Sequence, residues 1–366
     1  MLIAIEKRST DAATLVAHTT FADLDTTGTD DDLRVIEREW TVTDACGNST
    51  VKTQYIAIRP AINSGNTTIT CPPAVDMTMW YGACDTLLNI GLATFTTAVT
   101  DPAVADHLHV TATYNGEVIA TDAAGEWRFP EGDNVVTWTV TDTCGFSLSC
   151  EQHVVVHFPP CGPGHDVAYD GHTYQTVRVG CECWLKENLR NTKYADGTDV
   201  PSYSSYEHSA QNEADFGMLY SWYSAMNVPE WDNSTQPSTQ AGPNGLDYIQ
   251  GVCPDGWAVP TDAQYDDLWL NGYGTEGIKD MDGRYWLPGL AGTTPNCGFN
   301  ARGAGYYDGS VDRYYNLLGE TYFWTGDPVT TVEEGHCSVI TMTCPQMMHT
   351  VYPEGHGHSV RCVQKR

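Results

Sequence analysis

Trp40-Thr41-Val42-Thr43-Asp44-Ala45-Cys46-Gly47 returns 98 residues later as Trp138-Thr139-Val140-Thr141-Asp142-Thr143-Cys144-Gly145. A match of that length at that spacing is an internal repeat of domain size. Both copies alternate a large residue with a hydroxylated one, end in Asp-x-Cys-Gly, and lead into another β-rich run. The pattern predicts a strand, a tight turn and a second strand, in small β-modules joined in series.

The 366 residues carry 18 Lys and Arg against 47 Asp and Glu, a formal net charge of −29. Such a surface repels nucleic acid and anionic lipid, so neither is expected as a partner. No apolar run approaches the ~20 residues that a membrane-spanning helix needs. The length suits two or three domains. Abundant Gly, Tyr and Trp beside scarce Lys suit twisted sheets and structured loops better than helical bundles.

Thirteen cysteines imply metal or disulfides. Neither Cys181-Glu182-Cys183 nor Cys337 with Cys344 comes with the second pair that a zinc cluster requires. A disulfide framework outside the cytoplasm is therefore expected, although Met1-Leu2-Ile3-Ala4-Ile5-Glu6-Lys7-Arg8 has no adequate signal-peptide core. Between residues 66 and 158 stand Cys71, Cys84, Cys144 and Cys150. Bridging first to last, Cys71 to Cys150, would tie the terminal strands. The inner pair, Cys84 and Cys144, would tie the Asp-x-Cys-Gly turn to an early loop. Closing a loop of about 60 residues contributes up to ~4 kcal/mol, useful to a module with a small core.

Shifted by the repeat offset, the counterpart of Cys84 falls ahead of residue 1, and Cys46 is left over. Either residue 1 is not the natural mature start, or the first module lacks a strand and could accept one from a neighbour, or Cys46 is simply a free thiol. The eight cysteines from Cys161 to Cys362 are expected to close among themselves, with Cys183 to Cys362 joining the opening and closing strands.

Cys71-Pro72-Pro73, Phe129-Pro130-Glu131-Gly132-Asp133-Asn134-Val135-Val136 and Trp138-Thr139-Val140-Thr141-Asp142 resemble the words of a hyalin-repeat (HYR) or related immunoglobulin-like module. Phe146 departs from the Asn common there, which Asn48 supplies in the first copy. The resemblance implies an extracellular spacer or adhesive module without catalysis. Further on, Asp166-Val167, Asp170-Gly171-His172-Thr173-Tyr174-Gln175-Thr176-Val177, Cys183-Trp184-Leu185-Lys186-Glu187-Asn188-Leu189 and Tyr194-Ala195-Asp196-Gly197-Thr198 follow in order. Then come Gly217-Met218-Leu219-Tyr220-Ser221-Trp222-Tyr223-Ser224-Ala225, Cys253-Pro254-Asp255-Gly256-Trp257-Ala258-Val259-Pro260 and Ser359-Val360-Arg361-Cys362-Val363. This series resembles the Fibrobacter succinogenes major paralogous (FISUMP) domain of Bacteroidetes-type surface proteins. Ala258 stands where that family more often has His. The resemblance implies a C-type-lectin-like scaffold, related to that of formylglycine-generating enzymes.

The residues themselves agree with a mixed, loop-rich fold. Thr261-Asp262-Ala263-Gln264-Tyr265-Asp266-Asp267-Leu268-Trp269 predicts a capped helix with Tyr265, Leu268 and Trp269 facing inward. Leu219, Trp222, Tyr223 and Met226 predict a second short apolar helical face. The expected fold is mainly β and multidomain: a partial immunoglobulin-like module at 1–61, a complete β-sandwich at 62–159, and an α+β lectin-like domain at 160–366.

Catalytic signatures are missing. Gly-x-Ser-x-Gly, His-Glu-x-x-His and a phosphate-binding loop do not occur. Cys337 and Cys344 lie in a late stretch comparable to that of the formylglycine-generating enzymes but lack their Cys-His-x-Ser-Tyr-Cys word. No carboxylate spacing selects a glycosidase pair. The expectation is a non-enzyme without resident cofactor or metal. Calcium is the ion its turns would best suit, at Asp280-Met281-Asp282-Gly283 and Asp308-Gly309-Ser310-Val311-Asp312, although Asp-Gly is foremost turn chemistry. Trp231-Asp232-Asn233 resembles a C-type-lectin calcium word but lies mid-domain. His356 and His358, on a Gly-rich turn, are expected at the solvent. Trp286, Tyr306, Tyr307, Tyr314, Tyr315 and Trp324 are candidate glycan-stacking rings, unless they build the core.

The chain thus reads as part of a bacterial cell-surface or secreted protein. Its C-terminal domain recognises a glycan or a surface protein, or the chain is a subunit or tip of an extracellular filament or pilus, assembling head-to-tail with its own copies.

Overall fold

A computed structural model describes residues 18–27, 34–44, 47–58, 61–79, 82–122, 124, 126–143, 145–229, 237–241, 247–327, 335–340 and 348–365. The protein is mainly β. It divides into two compact units, one of Met1–Asp76, Leu87–Phe129 and Asp133–Val155, the other of Met77–Thr86, Pro130–Gly132 and Val156–Arg366.

In the first unit both repeat phrases form the predicted strand, turn and strand. Arg34–Thr43 pairs with Ser49–Ile58, and His18–Thr27 adds on the other side of Arg34–Thr43. In the second copy, Gly132–Thr141 and Ser147–His157 are neighbours in a five-stranded sheet ordered Val75–Thr78, Ser147–His157, Gly132–Thr141, His109–Tyr114, Glu117–Thr121. Alternation along Gly132–Thr141 buries Val136, Trp138 and Val140, as period-two side-chain geometry requires. Val110, Ala112, Phe129 and Val154 complete that core. Cys71 is bonded to Cys150.

The second unit holds a four-stranded sheet ordered Thr176–Val179, Glu182–Leu185, Val363–Gln364, Trp257–Ala258. A five-stranded sheet runs Arg313–Leu317, Ala304–Asp308, Thr321–Trp324, Gly335–Ile340, Met348–Tyr352. One apolar cluster includes Tyr174, Leu185, Tyr220, Trp222, Trp257, Trp324 and Val360. The other includes Trp184, Tyr265, Leu268, Trp286, Phe299, Phe323 and Val363. The predicted capped helix is Asp262–Asn271, with Thr261 and Gln264 completing a capping box. Tyr265 and Leu268 are buried, and Trp269 packs partly buried against the second cluster. The other predicted helical face is divided. Trp222–Met226 is a helix, whereas Leu219 lies on a strand with Tyr220.

Two sequence words lock each other. Arg361 is 1% exposed. Its guanidinium donates to the carbonyls of Lys186 at 2.7 Å and Phe299 at 2.6 Å, and to Asn188 Oδ1 at 2.6 and 2.9 Å. Asn188 in turn donates to Ser359 Oγ and the Phe216 carbonyl. Burial pushes the guanidinium pKa down to about 9, still charged at neutral pH. A buried cation so fully bonded is costly to break, which explains why these polar words sit inside a core.

The cysteine pairing corrects three expectations. Cys84 is bonded to Cys181, not to Cys144, which lies outside the described residues. The Gly82 N–H donates to the Cys181 carbonyl and brings Cys84 beside that residue. Cys183 is bonded to Cys161, and Cys362 to Cys253. Register forbids the expected Cys183–Cys362 bridge. Trp184 pairs with Val363, so antiparallel counting sets Cys362 opposite Leu185, two residues from Cys183. Nor do the eight late cysteines close among themselves, because Cys181 pairs outside them and Cys297 is a free thiol. Cys46 and Cys344 are outside the described residues, as are the side chain of Cys337 and the word Trp231-Asp232-Asn233.

Candidate functional site

An open cleft of ≈ 420 Å³ lies in the second unit, lined by Tyr194, Asp196, Met226, Asn227, Gln240, Gln250 and Asp255 among others. Its walls come from separate sequence words. In the turn Tyr194–Thr198, Asp196 Oδ1 accepts from the Thr198 backbone N–H at 2.9 Å and its hydroxyl at 2.6 Å. Those bonds, the side-chain one foremost, hold the Asp196 carboxyl below the usual carboxylate range. The buried Tyr194 hydroxyl donates to the Ser224 carbonyl at 3.0 Å and anchors the turn to the helix Trp222–Met226. That helix stops at Asn227, whose left-handed φ of 57° is one that Asn tolerates. Its exposed amide lies at the cleft. Gly251 follows with φ +52°, where a Cβ would collide with the Ala225 carbonyl.

The amides on the far wall are held in fixed orientation. Lys365 Nζ donates to Gln240 Oε1 at 2.9 Å and Gln250 Oε1 at 3.1 Å, and sits 4.4 Å from the Tyr248 ring centroid. Gln240 donates to Gln250 Oε1 at 3.0 Å. Gln250 donates to Asp255 Oδ1 at 3.0 Å, and the Tyr248 hydroxyl to Gln240 Oε1. Such a chain fixes which oxygen and which N–H each amide presents. A second cavity of ≈ 280 Å³ flanks Tyr248, Thr261, Gln264 and Lys365. Carboxylates and oriented amides around a concave opening match ligands rich in hydroxyl or amide groups.

The candidate rings are distributed differently from the expectation of a stacking surface. Trp286 and Trp324 are 1% and 0% exposed, with their indole N–H groups on the Ala301 and Tyr220 carbonyls. They are core, because a fold short of aliphatic residues fills its interior with rings. Tyr306 and Tyr315 stack at 5.4 Å, and Tyr306 packs on Tyr322, Tyr352, His356 and His358. Across the same hairpin Tyr307 and Tyr314 meet at 5.0 Å, half-buried. The Tyr314 hydroxyl lies 2.5 Å from Ser204 Oγ, and Tyr307 donates to Asp312.

The calcium turns are occupied by protein donors. Asp280 accepts from Asp282 N–H and from Arg302 at 3.1 Å. Asp282 caps Arg284 and pairs with its guanidinium. Asp308 accepts from Ser310 and faces His356 at 3.2 Å. Among the described residues no group of three or more His, Cys, Asp or Glu is placed to hold a metal ion. His356 and His358 are 8% and 0% exposed, which overturns the expected solvent position. The glycine between them is bonded to Tyr307 on the neighbouring strand and draws both rings into the aromatic core.

Residues 177–364 match the Fibrobacter succinogenes major domain. The chain belongs to that family. Among curated proteins none matches the chain. The cleft draws Tyr194, Asp196, Met226 and Asp255 from or next to the words by which the Fibrobacter succinogenes major domain is legible in sequence. Gln240 and Gln250 carry no such signal; only the folded hairpin Thr239–Ala241 with Asp247–Ile249 brings them there.

Proposed function

We propose that this is a non-enzymatic cell-surface or secreted bacterial protein whose C-terminal, lectin-like domain binds glycan at the amide-lined cleft. Immunoglobulin-like repeats precede that domain as spacers. The observation that carries the reading is the chain from Lys365 through Gln240 and Gln250 to Asp255. It presents oriented hydrogen-bonding groups at an open, ligand-sized hollow without a nucleophile–base pair among the described lining residues. The Asp196 carboxyl is held low, which does not suit the general-acid half of a glycosidase pair. The four disulfides among the described residues support an oxidising location.

The test is a glycan array with the full chain, followed by Asp255→Asn, Asp196→Asn and Gln250→Ala. Binding is expected to weaken about tenfold or more for each, since a lost polar contact is worth about 1.4 kcal/mol or more, with the fold retained by circular dichroism. Retention of no glycan, or hits indifferent to all three substitutions, would sink the reading.

A further inference from the structure

His358 is fully buried, and among the described residues neither ring nitrogen has a hydrogen-bond partner. Its ring is enclosed by Trp324 at 4.5 Å, Tyr352 at 4.9 Å, Tyr322 at 5.4 Å and Tyr306 at 5.8 Å between centroids. His356 lies 6.3 Å away, stacked on Tyr306, with its Nδ1 also buried and unbonded. A neutral imidazole carries one donor and one acceptor. Leaving both unpaired in an apolar box is a standing cost, and structures retain such groups for a reason. Protonation raises the cost, because burial strips the cation of water and, among the described residues, no counter-ion lies at hydrogen-bonding distance to replace it.

The segment bearing these rings is tied to the cleft. The Glu354 carbonyl accepts the Trp222 N–H at 2.9 Å, and its buried carboxylate accepts the Tyr223 hydroxyl at 2.5 Å. Trp222 and Tyr223 open the short helix whose end, Met226 and Asn227, walls the cleft. His358 and Tyr220 also exchange backbone hydrogen bonds, at 2.8 and 3.0 Å.

We propose that the His356–His358 segment is an acid-operated release. Protonation inside the aromatic box expels residues 353–358, frees the helix Trp222–Met226 and loosens the Met226–Asn227 wall, so that ligand held at neutral pH is discharged in acid. The ligand half of this statement rests on reading the cleft as a binding site.

The groups facing the box give little opposition. Asp308 faces His356, not His358. Tyr306 and Tyr322 are held protonated by burial, and Tyr322 donates to Glu320. Glu354 is engaged by Tyr223. On the neighbouring strand Gly335–Ile340, Cys337 is the backbone pair of Trp324.

Burial holds His358 well below 6.5, with the nearby His356 adding to the shift, and holds His356 below 6.5 against the pull of Asp308. The opened state, with imidazoles near 6.5, therefore takes up protons that the closed state refuses. Stability is full above 6.5 and falls as the pH drops through the window between 6.5 and the lower closed-state values.

The test is hydrogen exchange on the full chain between pH 7.5 and 5, corrected for intrinsic rates, in wild type, His358→Phe and His356→Gln. At pH 5 the wild type is expected to exchange at least tenfold faster in 222–227 and 353–359, and His358→Phe to lose that response. An equal acid response in wild type and His358→Phe overturns the proposal, as does loosening elsewhere with 222–227 still protected. Should His358→Phe not fold, a nuclear magnetic resonance titration of wild-type His358 decides. A midpoint near 6.5 overturns the proposal, and a midpoint well below it supports it. None of these readouts needs a ligand, so they stand even if the glycan reading fails. Where the array yields a glycan, it should elute at pH 5 from wild type and stay on His358→Phe; retention on both overturns the discharge.

Discussion

In both copies of the repeat the tryptophan Nε1–H donates to a glutamine 14 residues on, Trp40 to Gln54 at 2.9 Å and Trp138 to Gln152 at 2.8 Å. The turns match as well. Asp44 Oδ1 accepts the Asn48 N–H and Asp142 Oδ1 the Phe146 N–H, at 2.9 and 3.0 Å. What differs is the cover. Trp138 is fully buried, and Gln152 Nε2 also donates to the carbonyls of Pro73 at 2.8 Å and Ile90 at 2.9 Å. Trp40 is half-buried, with the Arg38 guanidinium 5.7 Å from its ring centroid. The same local words thus form the same strand, turn and side-chain bond, while the burial of Trp138 also depends on the distant segments of Pro73 and Ile90.

That difference predicts unequal costs for equal substitutions. Trp138→Ala should cost about 3–5 kcal/mol as a core cavity, whereas Trp40→Ala should cost about 1–2 kcal/mol for half-buried apolar area. Denaturant melts followed by hydrogen exchange in the two strand pairs would measure both. Equal costs would mean that the deeper burial of Trp138 adds nothing to stability.

Gln152→Leu sharpens it. The change leaves the Trp138 N–H and the Pro73 and Ile90 carbonyls without these partners, at about 3 kcal/mol or more for three groups that cost ~1–3 each. Gln54→Leu removes one part-buried bond, worth about 0.5–1.5 kcal/mol. A ratio near one would mean that the carbonyl contacts of Gln152 contribute nothing.

The same contrast between local words and distant cover sets how far the sequence could be read. The capping box at Thr261 and Gln264, the repeat strands and their turns follow from spacing over a few residues, and all formed as expected. The family of the C-terminal part was legible because its words are contiguous. Pairings that depend on register were not. Cys183 and Cys362 do lie on neighbouring strands, but a shift of two residues sends each to another partner. His358 looks like a turn residue beside two glycines, and only the tertiary ring of Trp324, Tyr322 and Tyr352 makes it core. The cleft shows the mixture: Asp196 and Asp255 belong to readable turns, while Gln240, Gln250 and Lys365 meet across 115 to 125 residues of chain.

The smallest effect isolates the one residue by which the two turns differ. In the first copy the Asn48 amide donates to Asp44 Oδ2 at 2.9 Å. Phe146 has no such donor, and Asp142 Oδ2 instead accepts the Ala61 N–H at 3.0 Å. The second carboxylate oxygen is therefore satisfied from within the turn in one copy and by the chain entering the module in the other. Phe146→Asn would offer Asp142 both donors at once. Because an added partner to an oxygen already bonded brings little, stability should move by less than about 0.5 kcal/mol, within the range of surface substitutions. The informative reading is local: the Ala61 amide should exchange faster as the introduced side-chain amide competes for Oδ2. Asn48→Phe, by contrast, removes the inner donor and should cost about 0.5–1 kcal/mol for an exposed charge-assisted bond. If Phe146→Asn left Ala61 exchange untouched, the entering chain would be held by something other than this carboxylate.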